Sequence, residues 1–258
     1  NFDFNEEQTM IMDGIARYIR EEYDFDKRRS IIESDSACSD DVWRQFSELG
    51  WLSIPFDESY GGFGGHADDL AGVMLELGKG LIIEPYMSTV VVFGSLLNAS
   101  NNDSLKEQLI PRIINGQYKG SFAYAEEQSR FEISDVKTSA QKCGDGYKLN
   151  GTKIAVIDAK ESDGLIVTAR TGGSQYGTEG ISSFLVDTSA EGVAVSSYNT
   201  MDSHSSSTIN LENVFVTEAN LIVDEGEGFR HLESCLPQIL LCLSAEALGI
   251  MEVLNKLT

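Results

Sequence analysis

The chain has 258 residues and a formal net charge of −22, with 19 basic against 41 acidic side chains. This field repels phosphate, which argues against nucleic acid or an anionic membrane surface as a partner. The length is enough for a sizeable core, and we expect two domains and the beginning of a third.

Cysteines and histidines argue against a disulfide framework and a zinc site. The four cysteines contain no C-x-x-C pair, and the three histidines have no partner at zinc spacing. The beginning of the sequence lacks a basic segment followed by an apolar one, and Ser244 and Glu246 interrupt the late apolar run 239–251, which is too short to span a bilayer. These features predict a cytoplasmic protein with no metal and no membrane span.

The first elements are helical. Asn5 and Gln8 form a capping pair ahead of apolar residues at helical spacing, which predicts a helix from about Glu6 to Tyr23. Ser39 or Asp40 caps a second predicted helix, and Gly50 stands where a left-handed terminating residue is favoured.

The segment 58–65, ESYGGFGG, is dense in glycine. It matches neither the dinucleotide pattern G-x-G-x-x-G after a strand nor a P-loop with its lysine. A phosphate-binding loop and a tight turn with close backbone approach both remain open, and the second is favoured.

Three further helices are predicted before residue 117. One carries Leu70 and Leu77, and the next covers 88–97 and is apolar on all sides, which is typical of a buried hub. The third, from Leu105 to Ile114, contains Pro111, which should bend or end it.

From Tyr118 the apolar residues alternate, which is typical of strands. The turn pairs Asp145-Gly146 and Asn150-Gly151 predict hairpins. Eight short strand candidates follow one another, centred on 122–124, 136–140, 147–149, 154–156, 165–167, 181–186, 193–195 and 209–216. This order predicts an antiparallel β-barrel or sandwich rather than alternating βαβ units.

Helical spacing returns after residue 228 and lasts to Leu254. A lone apolar helix cannot bury itself, so it needs a further domain or another chain. The fold class predicted is α+β and multidomain: an all-helical domain at 1–117, a central β domain at 118–227, and from 228 to 258 the first helix of a C-terminal helical bundle.

Several segments, in this order, resemble those of acyl-CoA dehydrogenases. They are IPFDESYGGFG (54–64), QLIPRIING (108–116), DGYKLNGTK (145–153), GISSFLV (180–186), LENVFV (211–216) and GEGF (226–229). The resemblance covers essentially the whole chain and implies the fold described above. It also implies FAD as cofactor, α,β-dehydrogenation of an acyl-CoA thioester as reaction, and a catalytic carboxylate supplied beyond Thr258.

The flavin in that family rests on two motifs, T-E-P-x-A-G-S-D and W/F-I-T-N. They correspond here to AEEQSRFE (125–132) and AVID (155–158), where the residues implied to form a degenerate flavin seat are Tyr124, Ala125, Glu126, Phe131, Ala155 and Ile157. Ala125 and Ile157 carry no hydrogen-bonding group, Ala155 has no ring to stack on the flavin, and Phe131 replaces a small hydroxyl and should fill that space.

Glu126, Glu127 and Glu132 permit another interpretation, as a catalytic carboxylate cluster. Because an acidic loop is usually only solvated, and because the family's base comes from the C-terminal helical domain, we expect no catalytic residue among them.

The degenerate motifs are most similar to the small subunits of heteromeric acyl-CoA dehydrogenases such as pimeloyl-CoA dehydrogenase. That resemblance implies a homologous partner subunit that binds most of the FAD, a bulky or dicarboxylic acyl-CoA as substrate, and an electron-transfer flavoprotein as acceptor. Two alternatives stay open: a non-catalytic scaffold that binds a partner, and a chain that binds FAD by itself through a rearranged seat.

Overall fold

The computed structural model describes residues 4–34, 36 and 38–258. A helical layer comes first in the chain. Its helices are α1 (Glu6–Glu22), α2 (Phe25–Ile32), α3 (Asp40–Glu48), α4 (Ala67–Lys79), α5 (Gly94–Asn98) and α6 (Asp103–Ile114), and a π-helix, Tyr86–Phe93, leads directly into α5.

The helix ends follow the capping residues in the sequence. Asn5 and Gln8 form a reciprocal capping box on α1, and the Ser39 hydroxyl accepts a hydrogen bond at the start of α3. Gly50 is left-handed, with φ of 78°, as predicted. Helix α2 was not predicted, because only Ile31 of its eight residues is buried and it has no clear apolar stripe.

The segment 88–97, predicted as a buried hub, lies within the π-helix and α5 at the centre of the helical layer. Tyr86, Val90, Phe93 and Leu97 are all buried to within a few per cent, because other elements pack on every side of this segment. Pro111 does not end α6, which continues for three more residues to Ile114.

The glycine-dense segment is a tight turn, as favoured from the sequence. A Cβ atom on Gly62 would stand 1.9 Å from the Phe56 carbonyl oxygen, and one on Gly65 would stand 2.7 Å from that of Ile54. Only glycine permits these two backbone segments to approach so closely.

The central layer is one seven-stranded sheet. Its strands are β1 (Gly120–Ala123), β2 (Ser139–Cys143), β3 (Gly146–Ile157), β4 (Gly164–Arg170), β5 (Ile181–Asp187), β6 (Val193–Asn199) and β7 (Ser205–Thr217). The order across the sheet is β1-β4-β2-β3-β7-β6, and β5 pairs with β4.

The predicted α+β architecture is confirmed, but the sheet is mixed rather than antiparallel. Strand β4 runs parallel to β1 and, at one residue pair, to β2, whereas the β2-β3, β3-β7, β4-β5 and β6-β7 pairs are antiparallel. Local alternation of apolar residues does not distinguish the two directions, because both have side chains at a period of two.

The hairpin predicted at Asn150-Gly151 is wrong. Both residues lie inside β3, where the pairing with β7 shifts its register between Leu149 and Gly151. A Cβ on Gly151 would lie 2.4 Å from the Thr138 hydroxyl oxygen, so the glycine serves a close crossing within a long strand.

Helix α7 (Gly228–Leu257) follows the sheet. It packs along α4, where a Cβ on Gly249 would stand 2.0 Å from the Leu75 carbonyl oxygen and one on Gly78 would stand 2.3 Å from that of Glu246. The opposite side exposes a row of apolar residues that includes Leu240, Leu248, Met251 and Leu254.

By length and composition alone, α7 could cross a membrane, since its apolar stretch is longer than the run 239–251 recognised in the sequence. Core helices of proteins without a membrane pass the same test. Its packing on α4 accounts for one side, and no element of the described residues covers the exposed side.

Candidate functional site

Three of the predicted site residues meet in one groove between the sheet and α7. Tyr124, Ala155 and Ile157 lie on its wall, and the cavity has a volume of about 490 Å³. The remaining lining comes from the π-helix, β1, one loop and α7: Met87, Ser88, Val92, Phe122, Ile133, Leu232, Leu236, Ile239, Leu240 and Leu243. We call this the apolar groove, because only Ser88 and Tyr124 contribute polar side chains.

A bulge in β3 sets the direction of the two β3 residues. Ala155 has a left-handed backbone, with φ of 51°, and the pairing with β7 shifts between Lys153 and Val156. Lys153 and Val156 are therefore both buried although they stand three apart, and Ala155 and Ile157 are on the groove side.

An aromatic pair forms part of the same wall. The rings of Phe122 and Tyr124 stack with centroids 5.2 Å apart and planes 20° apart. Ala125 contributes through its backbone, since its carbonyl oxygen accepts a hydrogen bond from the Ile154 amide at 2.9 Å. This bond holds the segment after β1 against the β3 bulge.

Glu126 does not line the groove, because its carboxylate is committed to the interior of the sheet layer. It pairs with the Lys153 ammonium at 2.7 Å and accepts the amides of Lys137 at 2.9 Å and Thr138 at 3.0 Å. The side-chain amide of Gln128 donates to it at 2.9 Å. Burial raises the pKa of Glu126, but Lys153 and the hydrogen bonds outweigh burial and bring it down to about 2.

The loop after Glu126 faces solvent. Phe131 is 100 % exposed and lies outside the groove lining, and Glu127 and Glu132 are exposed as well. The three carboxylates do not act as a cluster, because Glu126 is buried in its ion pair.

A second cavity of about 360 Å³ adjoins the apolar groove, and the two share Met87, Ile157 and Leu243 in their linings. Four carboxyl groups line it, and we call it the acidic cavity. They belong to Glu84, Asp158, Asp202 and Glu246. Sequence reasoning missed this set because its members lie on four separate segments, and only Asp158 belongs to a motif, as the last residue of AVID (155–158).

Three of these carboxyls are strongly desolvated. Burial raises the pKa of Glu84, of Asp158 and of Glu246 above the usual range of a carboxylic acid. Asp202 is different, since hydrogen bonds led by the one from the Thr200 hydroxyl lower its pKa.

Polar contacts fix the geometry around Asp158. Its Oδ2 accepts a hydrogen bond of 2.6 Å from the Ser88 hydroxyl, and its Oδ1 lies 4.0 Å from Nδ1 of His204. The β6–β7 turn that carries Asp202 and His204 is attached to the helical layer by Arg28, whose guanidinium donates to the carbonyl oxygens of Leu81 at 2.7 Å and Asp202 at 2.9 Å.

Across the described part of the chain, no group of three or more His, Cys, Asp or Glu side chains is arranged to hold a metal ion. The four thiols are free, and only Cys143 is exposed. The arrangement therefore offers an apolar groove and, beside it, a separate cavity lined by four carboxyl groups.

Family models match both halves of this architecture. The model described as "Acyl-CoA dehydrogenase, N-terminal domain" matches residues 5–117, and the one described as "Acyl-CoA dehydrogenase, middle domain" matches residues 121–214. A curated relative, the probable acyl-CoA dehydrogenase YngJ of Bacillus subtilis, is 29 % identical over 98 % of this chain and 67 % of its own length.

Solved structures agree. The structure reporting the electron transferring flavoprotein of Acidaminococcus fermentans has a chain with a TM-score of 0.88 and 27 % identity, covering 98 % of this chain and 67 % of that one. A chain of the ChsE4–ChsE5 complex of Mycobacterium tuberculosis has a TM-score of 0.87 at 22 % identity, with 98 % and 65 % covered, which shows a shared fold. This chain thus spans about two thirds of the length of its relatives.

Proposed function

Because the chain belongs to the acyl-CoA dehydrogenase family, we propose that it is one subunit of an FAD-dependent enzyme that dehydrogenates an acyl-CoA thioester between its α and β carbons. The second subunit in this proposal is a homologous chain that supplies most of the flavin contacts. The observation that carries the proposal is the apolar groove, which joins three residues of the degenerate flavin seat in one wall.

The groove suits only part of a flavin. Its aliphatic walls and the stacked pair Phe122 and Tyr124 suit the faces of a flat ring system. The polar edge of a flavin needs several hydrogen-bond partners, yet Ala155 and Ile157 offer none in their side chains. Because the Ser88 hydroxyl is already bonded to Asp158, the Tyr124 hydroxyl is the one side-chain group left among the described residues of the lining. The residues present therefore do not fit FAD by themselves, and in this proposal the second chain completes the site.

In this proposal the chain's own residues bind and orient the acyl group. The walls at Met87, Ile157 and Leu243 exclude water from an alkyl chain held in the apolar groove.

The likeness of this fold to the two-component ChsE4–ChsE5 complex supports a hetero-oligomer, and the likeness to the Acidaminococcus fermentans structure supports an electron-transfer flavoprotein as acceptor. We further propose a cytoplasmic location, because four free cysteines without a disulfide suit a reducing compartment.

Co-expression tests the proposal. The chain purified alone should be colourless and inactive, and the chain purified with its homologous partner should carry the visible absorbance of bound flavin and oxidise acyl-CoA. A yellow, active oligomer of this chain alone would contradict the division of labour between two chains.

A matched pair of substitutions sharpens the test. Ile157→Thr restores a hydroxyl in the groove wall and should raise the affinity of the isolated chain for FAD, measured as quenching of flavin fluorescence. Val193→Thr makes the same type of change on β6, outside both cavities, and should have no effect.

The same missing donors also favour a second candidate, a scaffold of this fold that binds its partner without redox chemistry. The two are separated by denaturing the purified complex and measuring released flavin. A complex with no flavin favours the scaffold and refutes the dehydrogenase.

A further inference from the structure

One wall of the apolar groove carries an aromatic platform. The rings of Phe122 and Tyr124 stack with centroids 5.2 Å apart, and both residues line the groove but not the acidic cavity. Phe122 is half-buried and Tyr124 is 41 % exposed, so the chain's own side chains do not cover the pair. A ligand in the groove can therefore contact both rings.

The backbone fixes the position of this platform. Phe122 lies in β1, where it is paired with Ile166 of β4, and the Tyr124 carbonyl oxygen accepts a hydrogen bond of 3.2 Å from the Lys153 ammonium. The ammonium itself is fixed by its ion pair with Glu126. Because the platform is already ordered, a ligand that packs on it loses little affinity to the ordering of protein groups.

Ala155 leaves room beside the platform. The hydrogen bond from the Ile154 amide to the Ala125 carbonyl oxygen brings β3 against the segment that carries Tyr124, and Ala155 has the smallest side chain of the described lining. The groove has a volume of about 490 Å³, within the range of sites that bury a small molecule. A flat ring can therefore lie against Phe122 or Tyr124 without meeting a bulky side chain of β3 at position 155.

No charged side chain lines the groove within the described residues. Ser88 and Tyr124 supply the polar side-chain groups of this lining, and the Ser88 hydroxyl is bonded to Asp158 at 2.6 Å. A terminal carboxylate or ammonium group would lose hydration there without gaining a counter-ion. The dicarboxylic acyl group implied by the family resemblance is therefore disfavoured, and an uncharged end group is favoured.

Resting on the proposed function, we propose that the apolar groove binds an acyl group that carries an aromatic ring at its distal end. The ring lies against Phe122 and Tyr124 and beside Ala155. Contacts between aromatic rings, offset-stacked or edge to face, stabilise a complex beyond the burial of apolar area. A saturated ring or a linear chain in the same place gains only the burial.

Three CoA thioethers with the same number of carbon atoms in the S-alkyl group test the inference without turnover: S-(3-phenylpropyl)-CoA, S-(3-cyclohexylpropyl)-CoA and S-nonyl-CoA. Each is titrated into the full-length protein, in the assembly in which it purifies, by isothermal calorimetry. The cyclohexyl ring is slightly larger than the phenyl ring, so burial of apolar area alone would favour the saturated analogue. The phenyl analogue should nevertheless bind about threefold to tenfold more tightly than either of the others, the range expected for aromatic contacts.

Variants locate the effect. Phe122→Leu and Tyr124→Leu each remove one ring and keep an apolar side chain, and each should reduce the preference for the phenyl over the cyclohexyl analogue by about twofold to fivefold. Tyr198→Leu is the matched control, because Tyr198 is 47 % exposed on β6 and lines neither cavity. This control should keep the preference.

A competition experiment separates an aryl group from the flavin ring as the ligand of the platform. FMN carries the flavin ring without the adenosine that FAD shares with CoA, so it competes only for the place of the ring. The phenyl analogue should bind with unchanged affinity in the presence of FMN. Loss of its binding would assign the platform to the flavin and overturn the aryl assignment.

The remaining outcomes distinguish the two proposals. Equal or tighter binding of the cyclohexyl or nonyl analogue overturns the aryl assignment and leaves the proposed function intact, as does a phenyl preference that survives both leucine variants. If none of the three thioethers binds, the proposed acyl-CoA function fails and the aryl assignment fails with it.

Discussion

Replacement of Lys153 by methionine should destabilise the β layer more than any change to a surface ion pair. The ammonium of Lys153 is fully buried and donates to Glu126 at 2.7 Å, to the Thr168 hydroxyl at 3.1 Å and to the Tyr124 carbonyl oxygen at 3.2 Å. Methionine has similar length and no charge, so Lys153→Met leaves the Glu126 carboxylate, which is 3 % exposed, without its counter-ion.

The expected loss in the free energy of unfolding is about 3–5 kcal/mol, the range for breaking one side of a buried ion pair. The value should lie near the lower end, because Gln128 and two backbone amides still donate to the carboxylate. Adding Glu126→Gln removes the stranded charge, so the double variant should be more stable than the sum of the single effects by about 1–3 kcal/mol.

The decrease in the free energy of unfolding at acid pH gives an independent measure of what the Glu126 carboxylate contributes. The pKa of Glu126 is about 2 in the folded chain against a model-compound value of 4.5, so its contribution is complete above pH 4.5 and is lost as the pH falls towards 2. That contribution is about 3 kcal/mol. Variants with Glu126→Gln should show a flatter loss of stability over this interval.

The pKa values of both partners fall, which favours the charged form of Glu126 but disfavours the charged form of Lys153. Burial lowers the pKa of Lys153 to about 8, although Glu126 pulls it upwards. At neutral pH both groups are charged. Part of the stabilisation that the Glu126 carboxylate provides only offsets the free-energy cost of burying the Lys153 ammonium. The cost of breaking the pair therefore exceeds the net value of forming it.

Urea unfolding followed by circular dichroism is the suitable assay, because both tryptophans, Trp43 and Trp51, lie in the helical layer and do not report on the sheet. The control is Lys142→Met, which breaks a pair with Glu218 whose side chains are 60 % and 55 % exposed, and it should cost less than about 1 kcal/mol. A loss for Lys153→Met no larger than this control, or strict additivity in the double variant, would refute the reasoning.

Three further changes probe other parts of the molecule. Gly78→Ala places a Cβ 2.3 Å from the Glu246 carbonyl oxygen and should lower the free energy of unfolding, measured thermally, by about 1–3 kcal/mol. Its control is Gly14→Ala on α1, where a new Cβ would have no atom within 4 Å, and this change should be neutral or stabilising by up to about 1 kcal/mol. Equal effects of the two substitutions would contradict the close contact between α4 and α7. Burial lowers the pKa of His231, and a weak interaction with the Leu96 backbone offsets this only in part. Stability should therefore be steady above about pH 6.5 and fall as the pH drops through that value, and His231→Leu should remove this dependence in denaturation curves measured across pH. Arg170 donates hydrogen bonds to carbonyl oxygens of two loops, including those of Ser134 and Gln175. Arg170→Met should therefore speed amide hydrogen exchange in residues 171–180. Unchanged protection there would show that the loop is ordered without the arginine.

Local patterns were enough to place most helices and the change to strands. Caps such as Asn5 with Gln8 act within one turn of helix, and the alternation after Tyr118 follows from the side-chain period of a strand, so both can be read from neighbouring residues. The same locality explains two failures. Helix α2 has no apolar stripe, and Asn150-Gly151 has the composition of a hairpin turn although it lies within β3.

The candidate site was likewise predictable from the sequence only in part. The motif resemblance identified Tyr124, Ala155 and Ile157, which the fold brings into one wall, and it also included Glu126 and Phe131, which the fold places in a buried ion pair and in solvent. The bulge at Ala155 decides which β3 side chains reach the groove, and the ion pair with Lys153 keeps the Glu126 side chain out of it. Both features depend on pairing between strands that are distant in sequence.

By itself, then, the sequence determined the order of helical and sheet layers, the helix ends and the family resemblance, because these depend on residues close together in the chain. Only the tertiary structure decided the parallel pairing of β4, the commitment of Glu126 to Lys153, and the convergence of Glu84, Asp158, Asp202 and Glu246 around one cavity. Those features arise from contacts between segments separated by tens of residues, and the raised pKa values of the buried carboxyls exist only once those contacts exclude water.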